Sequence, residues 1–160
     1  MEHIYKLKIY FIFLTSFLFW YSCASNKPNE TENHPEIEKL WVQYFENLNS
    51  NNYKNAVTFL HSKVLFSFKG TGIEIEGSEK LQNQLINWKN RVDEKGIYLK
   101  LHDIKSEKVF DDVTMVDVVK GEYLKNSDKF LREIRRYYHF YNYKETGWKL
   151  YMIAGADTED

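Results

Sequence analysis

The spacing between apolar residues changes near residue 97, and that change limits the fold more than any other feature of the chain. From residue 36 to residue 92, most apolar side chains recur every three or four positions, which is the period of a helix face. From residue 97 to residue 155 they recur every second position, which is the period of a β-strand. Helices followed by a run of strands predict an α+β fold with an antiparallel sheet.

Three segments carry the helical period: residues 35–52, 52–61 and 77–92. Two short alternating stretches, 63–70 and 72–77, separate the second helix from the third. Four longer alternating stretches follow and predict a meander of antiparallel strands. The strand around residues 113–119 is apolar on both faces, so the face turned away from the helices must also be partly covered. A homodimer through the sheet would supply that cover.

Three stretches resemble the nuclear-transport-factor-2-like superfamily, which includes SnoaL-type proteins, ketosteroid isomerase and scytalone dehydratase. WVQYFENLNSNNYKNAVTFLHSKVLFSF resembles its opening helix, turn, short helix and first strand. IEGSEKLQNQL resembles its third helix, which a glycine precedes, and GWKLYMIAG resembles its closing strand. The resemblance covers about residues 36–156, and we assign residues 36–160 to this domain.

The resemblance implies a cone-shaped fold, in which three N-terminal helices pack on a strongly curved antiparallel meander sheet. It also implies a pocket between the helices and the concave sheet, and often a homodimer. It implies no activity, because the fold hosts unrelated functions.

Residues 1–22 are typical of a secretory signal peptide. Lys6 and Lys8 precede an uncharged, mainly apolar run from Ile9 to Trp20. The run is shorter than the roughly 20 apolar residues that a membrane span needs. An uncleaved signal anchor is the alternative.

Cys23, the only cysteine, follows this run directly. Ser22-Cys23 resembles the end of the lipobox of bacterial lipoproteins, although Trp20 and Tyr21 replace its usual leucine and small residue. The resemblance implies lipidation of Cys23 and a membrane-anchored location in the bacterial cell envelope, on its periplasmic or surface face. Simple secretion and a coincidental buried thiol are the alternatives.

Residues 23–35 predict a flexible tether. Both prolines of the chain lie there, and large apolar side chains do not. Such a segment cannot bury enough surface to order itself. We therefore expect His34 to be solvated and the folded domain to begin at Glu36.

Charge and cysteine content exclude several classes of partner. With 22 basic and 23 acidic residues, the chain has no global field that would recruit nucleic acid. One cysteine excludes an internal disulfide, and no Cys/His cluster has zinc spacing. We therefore expect no nucleic-acid partner, no metal and no cofactor.

The predicted pocket is the candidate functional site. Its expected lining residues are Trp41, Tyr44, Phe45, Trp88, His139 and Tyr141. The last two follow from a hairpin turn at Glu145-Thr146, which would place Tyr141 opposite Leu150 and His139 opposite Met152.

Two functions fit this pocket. The first is a non-catalytic binding domain for a small apolar or aromatic ligand, or for a partner protein. The second is a small isomerase, dehydratase or hydrolase in which His139 and Asp117 form an acid–base pair. A mid-strand aspartate also fits an ion pair with Arg135 or Arg136. A structural dimer with a filled cone would have no cavity at all.

Overall fold

Within residues 33–68 and 70–155, which the computed structural model describes, three helices lie against one face of a six-stranded sheet. The predicted signal peptide, Cys23 and most of the tether lie outside the described residues. In the described part of the chain, no helix is both long enough and apolar enough to span a bilayer.

The predicted order of elements is confirmed. The elements are α1 (Pro35–Asn49), α2 (Tyr53–Thr58), β1 (Leu60–Phe68), β2 (Thr71–Glu76), α3 (Ser78–Glu94), β3 (Ile97–Phe110), β4 (Val113–Leu124), β5 (Phe130–Tyr143) and β6 (Gly147–Gly155).

The sheet has the strand order β2-β1-β6-β5-β4-β3. Strands β3 to β6 form the predicted antiparallel meander. Strand β1 pairs in parallel with β6, so the β1–β2 hairpin extends the same sheet and makes it mixed. The sequence indicates this hairpin but not its place, because the parallel pair joins segments far apart in the chain.

The core lies between the three helices and one face of the sheet. Trp41 is fully buried, stacks on Phe45 with ring centroids 4.9 Å apart, and meets Tyr138 edge-on at 5.3 Å. Val116 and Val118, alternate residues of β4, are also fully buried. We call the sheet face that carries these two valines and Tyr138 the inner face, and the opposite one the outer face.

His34 packs against the domain, so the prediction that it is solvated is wrong. Its backbone N–H donates to Ser106 Oγ at 2.7 Å, and its carbonyl accepts the N–H groups of Ile37 and Glu38 at the start of α1. Its side chain is 16% exposed and meets Trp148 edge-on at 6.1 Å. The folded domain therefore includes His34 and does not begin at Glu36.

A chain that begins at Glu36 should be less stable than one that begins at Asn33, by about 1–2 kcal/mol. The shorter chain lacks the His34 carbonyl and leaves the first turn of α1 without its cap. Urea denaturation of the two chains measures the difference, with a chain that begins at Ala24 as the reference. Equal stability of all three would show that the contacts of His34 contribute nothing.

Candidate functional site

A cavity of about 480 Å³ lies between the helices and the inner face. Side chains from α1, α3 and five strands line it. Its apolar wall consists of Leu48, Phe66, Phe68, Ile73, Leu85, Trp88 and Ile153. Small-molecule sites in proteins have this size and this mainly apolar character.

Two phenols add polar atoms to the wall. Tyr44, from α1, and Tyr138, from β5, are both buried and both line the cavity. Burial raises the pKa of the Tyr44 phenol well above its usual value, and the nearby Tyr138 adds to the shift. The Tyr44 hydroxyl is therefore protonated at neutral pH and acts as a hydrogen-bonding group, not as a base.

Lys120 brings an amine to the inner face of β4. It follows Val118 in the strand alternation and is only 4% exposed. Its Nζ donates to Tyr138 Oη at 2.8 Å and lies 6.0 Å, 5.5 Å and 5.4 Å from the ring centroids of Trp41, Phe45 and Tyr138. Among the described residues, its contacts are thus with a phenol and with aromatic faces rather than with a carboxylate.

The other charged groups on the cavity wall are also cationic. Arg91 is an exposed residue in the last turn of α3, and the Arg136 guanidinium lies over the Phe68 ring at 5.3 Å. The described lining residues include no carboxylate. In an adjoining space of about 230 Å³, Glu122 accepts a hydrogen bond from Arg132 Nε at 2.7 Å. Among the described lining residues, the charged side chains are therefore all cationic.

Solved structures share this architecture. A nuclear-transport-factor-2-like protein with a cystatin-like fold from Novosphingobium aromaticivorans aligns with a TM-score of 0.61 and 15% identity, over 78% of this chain and 82% of that chain. A nuclear-transport-factor-2-like protein of unknown function from Pseudomonas putida aligns with a TM-score of 0.63 and 8% identity, over 79% of this chain and 87% of that chain. This chain has the nuclear-transport-factor-2-like fold.

The comparisons confirm the resemblance drawn from the sequence at the level of this cone-shaped fold. A ketosteroid isomerase-like protein from Erwinia carotovora also shares it, with a TM-score of 0.52 and 11% identity over 78% of this chain and 95% of that chain. No protein-family model matches the chain, and no curated protein matches it. Identities this low establish the shared fold and leave the activity to be argued from the site.

In this nuclear-transport-factor-2-like fold, the six predicted pocket residues divide into three pairs. Tyr44 and Trp88 line the cavity. Trp41 and Phe45 do not line it, contrary to the prediction, and are buried in the core beside Lys120. His139 and Tyr141 lie on the outer face, so the prediction that they share the pocket is wrong.

The hairpin between β5 and β6 explains this error. Its loop, residues 144–146, is three residues long and is followed by Gly147, whose φ of 68° gives the left-handed conformation typical of such turns. Tyr141 therefore pairs with Lys149 instead of Leu150. A bulge after His139 restores the predicted pairing with Met152, and Tyr138 and Phe140 are the residues that point inward.

The predicted acid–base pair of His139 and Asp117 is also wrong. The Arg135 guanidinium binds both carboxylate oxygens of Asp117, with Nε 2.8 Å from Oδ1 and Nη2 in contact with Oδ2. The ion pair considered as an alternative is therefore what the structure contains. Partial burial lowers the pKa of His139, whose ring lies edge-on to Tyr151 at 6.2 Å. Both residues are on the outer face, away from the cavity, and the second subunit expected to cover that face stays a prediction.

The sequence analysis did not identify two features of the structure, the buried Lys120 and a set of contacts around His102. The sequence does contain an indication of Lys120, because it lies on the same strand face as Val116 and Val118, two positions further along β4. The other is a bridge on the outer face, where the His102 ring lies 2.8 Å from Glu133 and 2.9 Å from the Tyr123 hydroxyl. His102 sits at a β-bulge above Gly121, where a Cβ would lie 2.4 Å from its ring. Nothing in the residue spacing indicates that contact.

Proposed function

We propose that the domain binds a small apolar or aromatic molecule in the cavity between α3 and the inner face, as a binding domain rather than an enzyme. The observation that supports this proposal is the cavity of about 480 Å³ with its apolar wall. The described lining residues offer an amine, two phenols and two guanidinium groups, but no carboxylate or imidazole that would act as a general base.

The proposed function can be tested by filling the cavity with a larger side chain. Gln84 is half-buried and lines it, whereas the neighbouring Asn83 is exposed and does not. Replacing Gln84 with tryptophan should weaken binding of the neutral fluorophore N-phenylnaphthylamine by about tenfold or more, equivalent to at least about 1.4 kcal/mol. Replacing Asn83 with tryptophan should leave the affinity unchanged.

Fluorescence titration, excited in the absorption band of the fluorophore, measures both affinities. If the two tryptophan variants bind the fluorophore as tightly as the wild type does, the cavity is not the binding site and the proposed function is wrong.

We also propose that lipidated Cys23 anchors the domain in the bacterial cell envelope. The support is the sequence alone: two lysines, an apolar run and the Ser22-Cys23 junction. Several acyl chains on one cysteine anchor a protein stably, where one chain holds it only marginally.

Replacing Cys23 with alanine should therefore remove the acyl mass and move the protein out of the membrane fraction. Replacing Ser22 with alanine retains a small residue and should leave the acyl mass and the membrane location unchanged. Fractionation and mass spectrometry of the intact protein report both outcomes. A Cys23→Ala protein that stays in the membrane with unaltered processing would identify the apolar run as a signal anchor instead.

A further inference from the structure

Lys120 is a buried amine without a counter-charge among the described residues. Lysine is almost never fully buried unless it is paired, yet this side chain is 96% removed from solvent at the edge of an open cavity. An ammonium has three donors, and Tyr138 Oη accepts one of them at 2.8 Å. We propose that the ligand carries an anionic group, such as a carboxylate, a sulfonate or a phosphate monoester, and that Lys120 binds it. This proposal rests on the proposed binding function.

The surroundings of the amine favour an anion over a neutral polar group. The rings of Trp41 and Phe45 lie within about 6 Å of Nζ and stabilise a cation through their faces. They provide no negative charge. The nearest acidic residue on the same face of β4, Glu122, accepts a hydrogen bond from Arg132. An anion in the cavity would supply the counter-charge that the described residues do not give Lys120.

Tyr138 gives the anion a second donor. Its oxygen accepts the hydrogen bond from Lys120, which leaves its own O–H to donate. Two donors 2.8 Å apart suit two oxygens of one carboxylate, sulfonate or phosphate, and hydrogen bonds to a charged acceptor are the stronger kind. The guanidinium groups of Arg91 and Arg136 line the same cavity. The apolar wall would hold the rest of the molecule.

Two fluorophores with the same aromatic frame test the charge. N-phenylnaphthylamine is neutral, and anilinonaphthalene sulfonate adds one sulfonate to it. Replacing Lys120 with methionine should weaken binding of the sulfonate roughly 10- to 100-fold, the loss expected for a hydrogen bond to a charged group. The same variant should weaken binding of the neutral fluorophore much less, by about threefold at most, since methionine is also unbranched and only one atom shorter than lysine.

Three further variants make the result specific. Lys120→Arg keeps the positive charge and should retain most of the affinity for the sulfonate. Tyr138→Phe should weaken sulfonate binding more than it weakens binding of the neutral fluorophore. Lys39→Met removes an exposed lysine of α1 and should change neither affinity. A thermal melt of each variant confirms that it is folded.

If folded Lys120→Met binds the sulfonate as tightly as the wild type does, the anion proposal is wrong, although the binding function stands. If Gln84→Trp also leaves the affinity for the neutral fluorophore unchanged, the binding function itself is wrong. The two failures are therefore distinguishable.

Discussion

Replacing Trp41 with alanine should lower the free energy of unfolding by about 3–5 kcal/mol, the range for truncation of a large buried aromatic side chain. Trp41 is fully buried at the centre of α1 and contacts the rings of Phe45 and Tyr138. Its indole nitrogen has no hydrogen-bond partner among the described residues, so the loss is one of packing.

Urea denaturation followed by circular dichroism measures this loss. Trp41→Phe serves as the matched control, because it keeps an aromatic ring at the site and should cost distinctly less. A Trp41→Ala protein destabilised by under about 1 kcal/mol would mean that α1 does not pack on the inner face as described.

The second large effect concerns Lys120 and Tyr138, which should behave as a coupled pair. Tyr138→Phe alone should cost about 1–3 kcal/mol, because the buried amine loses its hydrogen-bond acceptor. The double variant Lys120→Met/Tyr138→Phe should recover this loss, because replacing both polar partners with apolar groups of similar shape is nearly neutral or stabilising.

A double-mutant cycle from urea denaturation measures the coupling free energy. Losses that simply add, so that the double variant is the least stable protein of the four, would contradict the described contact. A double variant that is stable yet binds the sulfonate fluorophore weakly would show that Lys120 is retained for the ligand at a cost in stability.

The sequence predicted the elements well because its two periods are long and regular. The alternation in β4 predicted a strand with apolar residues on both faces, and two residues of one of those faces, Val116 and Val118, are in the core. Apolar spacing in α1 placed Trp41 and Tyr44 on the buried side in the same way. These predictions depend only on local geometry, which the residues themselves determine.

The candidate site was predicted less well, because its details depend on single-residue shifts. One extra loop residue before Gly147 moved Tyr141 to the outer face, since a shift of one position exchanges the two faces of a strand. The bulges at His102 and after His139 have no signature in the spacing of apolar residues. Lys120 was overlooked because a strand that is apolar on both faces gives little indication of which face is buried more deeply.

Native mass spectrometry of the protein purified from the bacterial envelope tests the central claim, that the cavity holds a small molecule. The wild-type protein should carry an additional small mass that dissociates on collisional activation and is detected as an anion. The Gln84→Trp protein, prepared in the same way, should lack it, and the Asn83→Trp protein should retain it. A wild-type protein without bound mass, or equal occupancy in the wild type and Gln84→Trp, would contradict the claim.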